Sequence, residues 1–495
     1  ATTATAAAGV TLVACNTDAS RVDGADEIGV VEARRPHSGR TVSATLTADR
    51  TRVDLGGSIA SSLTYNGTVP GPVLRASVGD EIAVMVRNRL PHMTSVHWHG
   101  IAMRNDMDGA APATPDIPAG GDFTYRFSVP HSGTYWAHPH TGLDADTGLY
   151  FPVIVDDPQD PGDYDVEWIV VLDDWTDGVG SSPEQIFDRL RNMSTAGHDM
   201  AGGDDMPGMP GMRTGTVAGV GGTGKSALLG GDAGDVSYPY YLINGRIPSA
   251  PSTFRAKPGQ RIRMRIINAA SDTAFRVAVA GHRLTVTHTD GFPVVPTEVD
   301  AVLLGMGERY DARVTAGDGV FALVALAEGK NAAARALLVT GAGEPPPVDM
   351  APPELEGRVG TVADLHATPA AALTPAVADV RLPVDLAGSM TPYEWTINGA
   401  PYSRSVPLQV RSGQRVEMAF NNTSTMWHPM HLHGHTFEVL TAGGVPGARK
   451  DTVIVLPGQR LRVAFVADNP GQWMMHCHNT YHQDAGMMTR VDYTG

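Results

Sequence analysis

The chain is poor in cysteine, in positive charge and in long apolar runs, and each shortage removes a class of protein. Two cysteines in 495 residues, Cys15 and Cys477, allow at most one disulfide, so this is no disulfide scaffold. No run of 18 or more apolar residues occurs, which leaves no candidate for a membrane-spanning helix. Lys plus Arg number 37 against 53 Asp plus Glu, a net charge of −16. Nucleic acid and anionic membrane surfaces need a basic face, so neither is an expected partner. Charged residues make up only 18% while Gly (56) and Pro (36) are abundant, a mix that favours turn-rich β structure over long helices. What the chain does have is 18 His and 20 Met, which points to soft-metal chemistry.

At about 150 residues per domain the length suggests three domains. Residues 1–17 carry no charge, and the apolar stretch 6–14 runs straight into Cys15. This reads as the apolar half of an export signal ending at a lipoprotein cleavage site, with Cys15 carrying lipid. Residues 1–40 are accordingly expected to be signal remnant and tail, followed by domains at 41–160, 161–344 and 381–495. Pro345, Pro346, Pro347, Pro352 and Pro353, with a loose stretch from His366, make 345–380 an expected interdomain linker. Residues 176–236 are rich in Gly, Asp and Met and read as a long loop in the middle domain, with a short helix at 183–191.

One β pattern occurs three times. Asn66-Gly67 leads to GDEIAVMVRN from Gly79, Asn244-Gly245 to GQRIRMRIIN from Gly259, and Asn398-Gly399 to GQRVEMAFNN from Gly413. Each is a turn followed by a segment alternating in period two and ending in Asn, and the copies recur at domain-sized spacing. Three similar β-sandwich domains follow.

Counting from the repeated glycine turns the pattern into chemistry. Eighteen residues after Gly79 comes His97, starting the pair His97 and His99; eighteen after Gly413 comes His431, starting His431 and His433. The middle copy has Val277 and Val279 there, which cannot bind a metal. Likewise Gly133 lies five residues before His138, with His140 following, and Gly471 five before His476, with His478 following. Residues i and i+2 of a strand project from one face, so each pair aims both rings to one side. Eight imidazoles from two domains exceed the four ligands of a structural zinc site and imply a cluster between domains one and three.

Cys477 lies between His476 and His478, so alternation turns its sulfur away from that cluster, toward a different metal. His428, His482 and Met487 complete a set of one thiolate, two imidazoles and a weak axial thioether, as expected of a blue-copper electron-transfer centre. The first domain has Thr94, Pro139 and Asp144 at the matching positions, so only domain three should carry this site.

The motifs HWHG, HPH, HPMHLHGH and HCHNTYHQDAGMM resemble the four copper signatures of three-domain multicopper oxidases, and they span nearly the whole chain. The resemblance implies three cupredoxin-like Greek-key domains, all-β, and four copper ions. It implies a type 1 copper on His428, Cys477, His482 and axial Met487, and a type 2 copper on His97 and His431. A type 3 pair is implied on His99, His138, His140, His433, His476 and His478. A reductant would then meet the type 1 copper near the surface, Cys477 would pass electrons through His476 and His478, and O2 would be reduced to water. The acid that serves the cluster in the family corresponds to Asp108; its second acid is replaced here by Gln483, so Asp484 or water would have to substitute. His37, His92, His131, His198, His282, His288, His366 and His435 are left without a copper role, His198 apart as a possible auxiliary.

The substrate rests on one further feature. Met193, Met200, Met206, Met209 and Met212 fall within 20 residues, interleaved with His198, Asp199, Asp204 and Asp205. Thioethers favour Cu(I) and carboxylates attract cations, so this stretch reads as a Cu(I)-capturing loop, and the lipoprotein-like start and Met-rich insert are most similar to bacterial copper-resistance members of the family. The expectation is a cuprous oxidase of the cell envelope, monomeric, acting in copper tolerance. Laccase-like oxidation of phenols and aromatic amines is the competing activity and would need an open pocket at His428 or His482. A storage or electron-carrier protein would not need eight cluster histidines. Cys477→Ser is expected to abolish blue colour and turnover while leaving the fold intact, as read by absorbance and circular dichroism; a blue, active variant would overturn the type 1 reading.

Overall fold

The computed structural model describes residues 19–160, 162–192, 219–220, 224–442 and 445–494, with side chains from residue 27 onward except at 219–220. Cys15 and the five methionines of the Met-rich stretch lie outside the described residues. The described chain is all-β, as the sequence implied: three successive pairs of larger sheets, the first closing on its own apolar core and the cores of the middle and third running into one continuous cluster.

The three repeated segments become equivalent strands. Glu81–Asn88, Arg261–Asn268 and Arg415–Asn422 each lie parallel to the first strand of their unit (Thr41–Asp54, Val166–Trp175 and Val380–Met390) and antiparallel to a later one. The terminal Asn of each does the same work. Asn88, Asn268 and Asn422 each donate from Nδ2 to a backbone carbonyl four or five residues on and to a more distant one, at 2.7–3.1 Å, and accept from the amide two residues on, at 2.9–3.0 Å. A side-chain amide thus satisfies backbone groups where each strand leaves its sheet. The preceding turns match too: Asn66, Asn244 and Asn398 sit at φ 56°, 53° and 53°, each followed by a glycine at φ 76°, 72° and 75°, a left-handed pair that Asn-Gly tolerates best.

Two stretches differ from expectation, and a third agrees in part. Part of the presumed N-terminal tail is an α-helix, Ala19–Arg34, tied to the body where Ser128 N donates to Glu32 Oε1 at 3.0 Å and Arg35 Nη2 to Asn469 Oδ1 at 2.9 Å. The presumed linker 345–380 is partly built into the middle unit. Val359–Gly360 pairs with Ala301–Leu304, and Leu355 is buried in an apolar cluster, so backbone pairing and apolar burial hold what proline content suggested would hang free. The long loop does contain the short helix, at Pro183–Asn192, and beyond it the strand Gly219–Val220 pairs with Val236–Ser237.

The first and middle units are joined by a buried ionic group. Asp311 accepts from Arg263 Nη2 at 2.7 Å, from Arg265 Nη1 at 3.2 Å and, across the seam, from Thr134 Oγ1 at 2.6 Å. Burial pushes the Asp311 carboxyl up, but the two guanidinium groups outweigh it and hold it well below the ordinary range. Because the folded value is depressed, this stabilisation is complete above the unfolded value of about 4 and is lost as pH falls below it. Asp311→Ala leaves two buried cations short of a partner and is expected to cost about 3 kcal/mol in chemical denaturation at neutral pH. Its stability should fall less steeply than the wild type's below about pH 4.

Candidate metal centres

The register of the outer units brings the histidine pairs together. In the first unit His97–His99 pairs antiparallel with Gly133–His138, setting His97 opposite His138; in the third, His428–Leu432 pairs with Gln472–Cys477, setting His431 opposite His476. The two pairings meet face to face. His433 Nε2 and His140 Nε2 lie 3.0 and 3.2 Å from His476 Nε2, and His478 Nε2 lies 3.2 Å from His99 Nδ1 and 3.3 Å from His138 Nε2. His97 Nε2 and His431 Nε2 face each other at 3.4 Å. The eight rings therefore sort into two sets of three and one of two, each drawing on both outer units.

The opposite ring nitrogens decide what the facing ones carry. Nδ1 of His97, His138, His431 and His476 donates to the backbone carbonyls of Asp108, Pro139, Asp451 and Cys477, each at 2.9 Å. Nδ1 of His433 donates to Asp108 Oδ2 at 2.9 Å, and Nε2 of His99 to Asp451 Oδ1 at 3.1 Å. Each of these rings spends its proton outward and turns a bare lone pair toward its neighbours. Protonating the inner nitrogens is no remedy: burial, then the surrounding imidazoles, holds His138, His433 and His476 well below the usual range, and His140 at about 3. Lone pairs facing one another in a dry pocket fit metal cations and little else.

The second set is equally explicit. Cys477 Sγ lies 3.6 Å from His428 Nδ1 and 3.7 Å from His482 Nδ1, which are 3.1 Å apart. His428 Nε2 pairs with Ser424 Oγ at 2.8 Å and His482 Nε2 donates to Asp235 Oδ2 at 3.0 Å, so both rings turn Nδ1 toward the sulfur. Asn479 accepts from the amides of Tyr481 and His482 and thereby starts the helical turn Thr480–Asp484 that carries His482. Met487 is buried, and its carbonyl accepts from Cys477 N at 3.0 Å. Burial lowers the His482 value, yet Asp235 and Cys477 together push it up to about 10, so this position favours a positive charge. One sulfur and two imidazole nitrogens form a soft donor set for copper.

The structure brings Asp108 to the cluster by backbone and side chain at once; its Oδ1 is buried, 3.3 Å from His97 Nδ1, and makes no hydrogen bond. Asp484 lies on the helical turn with Arg191 as its neighbouring charge, and burial raises its carboxyl. The second carboxylate among these rings is Asp451, which sequence reasoning missed because it sits 18 residues after His433 with no local motif. Asp235 and Ser424 were missed likewise; Asp235 lies in a Gly- and Asp-rich stretch that reads as plain loop. His428 and His482 are both fully buried, with the Trp395 ring 5.2 and 4.1 Å away. In the first unit Asp144 pairs with His92 at 3.1 Å, and Val277 and Val279 fill the middle core.

Fold and donor sets together define a cupredoxin-like protein built to hold several soft metal ions. Multicopper oxidase family models match residues 47–160, 167–343 and 378–494, and the chain belongs to the multicopper oxidase family. It is similar to multicopper oxidase MmcO of Mycobacterium tuberculosis, 62% identical over 94% of this chain and 90% of that one. It is also similar to a copper resistance protein A homologue of Pseudomonas syringae pv. tomato, 29% identical over 90% of this chain and 91% of the other. Among solved structures, a laccase from Botrytis aclada superposes with a TM-score of 0.73 at 25% identity, covering 93% of this chain and 89% of its own. The protein is thus an oxidoreductase of a family that carries four coppers and uses oxygen as acceptor. No described helix is long and apolar enough to cross a membrane. Asp108→Asn is expected to slow oxygen consumption by about 10²-fold while anaerobic bleaching of the blue band by reductant keeps its rate; unchanged oxygen consumption would reduce Asp108 to a turn residue.

Proposed function

We propose that this chain oxidises Cu(I) to Cu(II) at a type 1 site and couples it to the reduction of O2 to water, in copper tolerance. The type 1 ligands are His428, Cys477 and His482 with axial Met487, and the type 2 ligands His97 and His431. The type 3 ligands divide into His140, His433 and His476 on one side and His99, His138 and His478 on the other. When bound, the coppers supply one-electron acceptance from substrate and four-electron reduction of oxygen. The chain itself supplies the rest. Cys477 joins the two centres covalently, its side chain among His428 and His482 and its neighbours His476 and His478 among the cluster rings. Asp108 holds His433 by a hydrogen bond and presents a free carboxylate oxygen where protons are needed.

The observation that carries the Cu(I) reading is the covering of the type 1 histidines. A phenol needs contact with an exposed ring edge, and both rings are buried. The polar group on the outer side of His482 is the Asp235 carboxylate, which also accepts from Tyr393 Oη at 2.7 Å. The charge of that carboxylate, one hydrogen bond from a ligand ring, suits a small cation, and its Oδ2 is already taken by His482 and Tyr393. Described residues on either side of the Met-rich stretch lie close to this same place. Phe187, on the helix that precedes it, lies 6.3 and 6.4 Å from the rings of Tyr393 and Tyr481, and the strand that follows it pairs with Val236–Ser237, next to Asp235. The likeness to a copper resistance protein supports the same reading, and the stretch 6–15 supports a place in the cell envelope with a lipid on Cys15.

Removing residues 193–212 is expected to lower Cu(I) oxidation by about tenfold or more while oxidation of a small phenol is kept or rises, about 1.4 kcal/mol of barrier for each factor of ten. Equal loss of both activities, or of neither, would defeat the capture role; a phenol rate well above the Cu(I) rate in the intact protein would favour the laccase-like reading.

A further inference from the structure

The middle unit reads from sequence as a copper-free spacer, but the turn after Ala301–Leu304 enters the histidine cluster. Gly307 lies against two rings assigned to the same half of the type 3 pair. A Cβ there would stand 2.8 Å from His478 Cδ2 and 2.9 Å from His99 Cε1, and its φ of +85° is one that side chains rarely adopt. Two residues on, Arg309 is fully buried, and every arm of its guanidinium is occupied. Nη1 and Nη2 donate to the two oxygens of Asp451 at 2.7 and 2.6 Å, Nε donates to Thr134 O at 3.0 Å, and Nη1 donates also to Gly307 O at 3.0 Å. One side chain of the middle unit thus fixes the backbone of the first and a carboxylate of the third.

That carboxylate chooses a ring nitrogen. Asp451 Oδ1 accepts from His99 Nε2, which leaves His99 Nδ1 facing His478, whereas the other cluster rings whose proton partners are visible turn Nε2 inward, with their protons on Nδ1. A two-pronged Arg–carboxylate pair fixes the plane and position of Asp451, and a lysine, as a point charge, cannot do so. Resting on the reading of the cluster given above, we propose that Gly307 and Arg309 are positioning residues of the type 3 centre. Gly307 sets how closely the His99 and His478 rings approach, and Arg309, through Asp451, sets which nitrogen His99 offers to copper. Lys450, bound to Asp290 at 3.1 Å and Glu308 at 3.2 Å, balances the neighbouring acids and leaves Arg309 committed to Asp451.

Arg309→Lys and Gly307→Ala in the full copper-loaded protein test this. Loss of an outer partner of a metal-bound histidine typically costs about 10–100-fold in metal affinity. In both variants a copper chelator should therefore remove the type 3 copper, followed by its near-ultraviolet band, at about 10–100-fold lower concentration than in the wild type. The blue type 1 band serves as internal reference and should persist. Type 3 copper held as tightly as in the wild type would overturn the proposal. So would parallel loss of both bands, or failure of both variants to fold, because the residues would then only join units. A wild-type protein that loads the blue site but shows no type 3 band would refute the cluster assignment itself.

Discussion

Imidazole nitrogens that face one another with bare lone pairs repel, and a chain left to itself would turn its rings or take up protons. The histidine cluster exists because every outward nitrogen of the rings just traced is already held: four by backbone carbonyls, one by Asp108 and one by Asp451. Burial closes the alternative of protonation, since a cation in a dry pocket without a partner costs more than a neutral ring. What remains is a set of donors prepared for metal before any metal arrives. The repeat, the sheet register and the charged network behind the cluster all serve to hold that arrangement against its own repulsion.

The two centres face opposite electrostatic problems within one strand. Burial and the neighbouring rings push His138, His433 and His476 away from the charged form, whereas His482 is pulled toward it by Asp235 and Cys477. Strand alternation separates these environments at single-residue resolution, with His476 and His478 on one side and the Cys477 sulfur on the other. A short helical turn, capped by Asn479, then returns the chain so that His482 meets that sulfur five residues on. The arrangement couples two centres without any separate connecting element.

The three units share a scaffold and divide the labour. Asn88, Asn268 and Asn422 satisfy the same kind of backbone groups in each, so the sandwich edge is built alike whether or not it carries histidine. Where the outer units place histidines the middle one places Val277 and Val279, and gains a well-filled core. Its contribution comes from its edges, with Arg309 and Gly307 toward the cluster and Asp235 toward the cysteine site. Buried ion pairs at its seams are costly to break and fix the orientation of the outer units.

Much of this protein is written locally. The all-β class, the threefold repeat, the HxH pairs and the cysteine between two of them depend on period-two alternation and fixed offsets, which the chain order specifies whatever packs around it. Asp108 was legible through the family resemblance, which places an acid shortly after the first pair. Asp451, Asp235, Ser424, Arg309 and Gly307 were not, since each acts across a distance in sequence that no motif spans. Arg309 and Asp451 are 142 residues apart, and His99 and Asp451 are 352 apart. The helix within 19–34 and the ordering of 345–380 were misjudged for a related reason: composition reports what a segment prefers alone, and a neighbouring sheet can supply partners that override it. Sequence by itself determined which donors exist and which of them share a face. Only the tertiary structure decided which ring nitrogen each histidine offers and how deeply the cysteine site is covered, because those depend on hydrogen-bond partners and packing that arrive from other units.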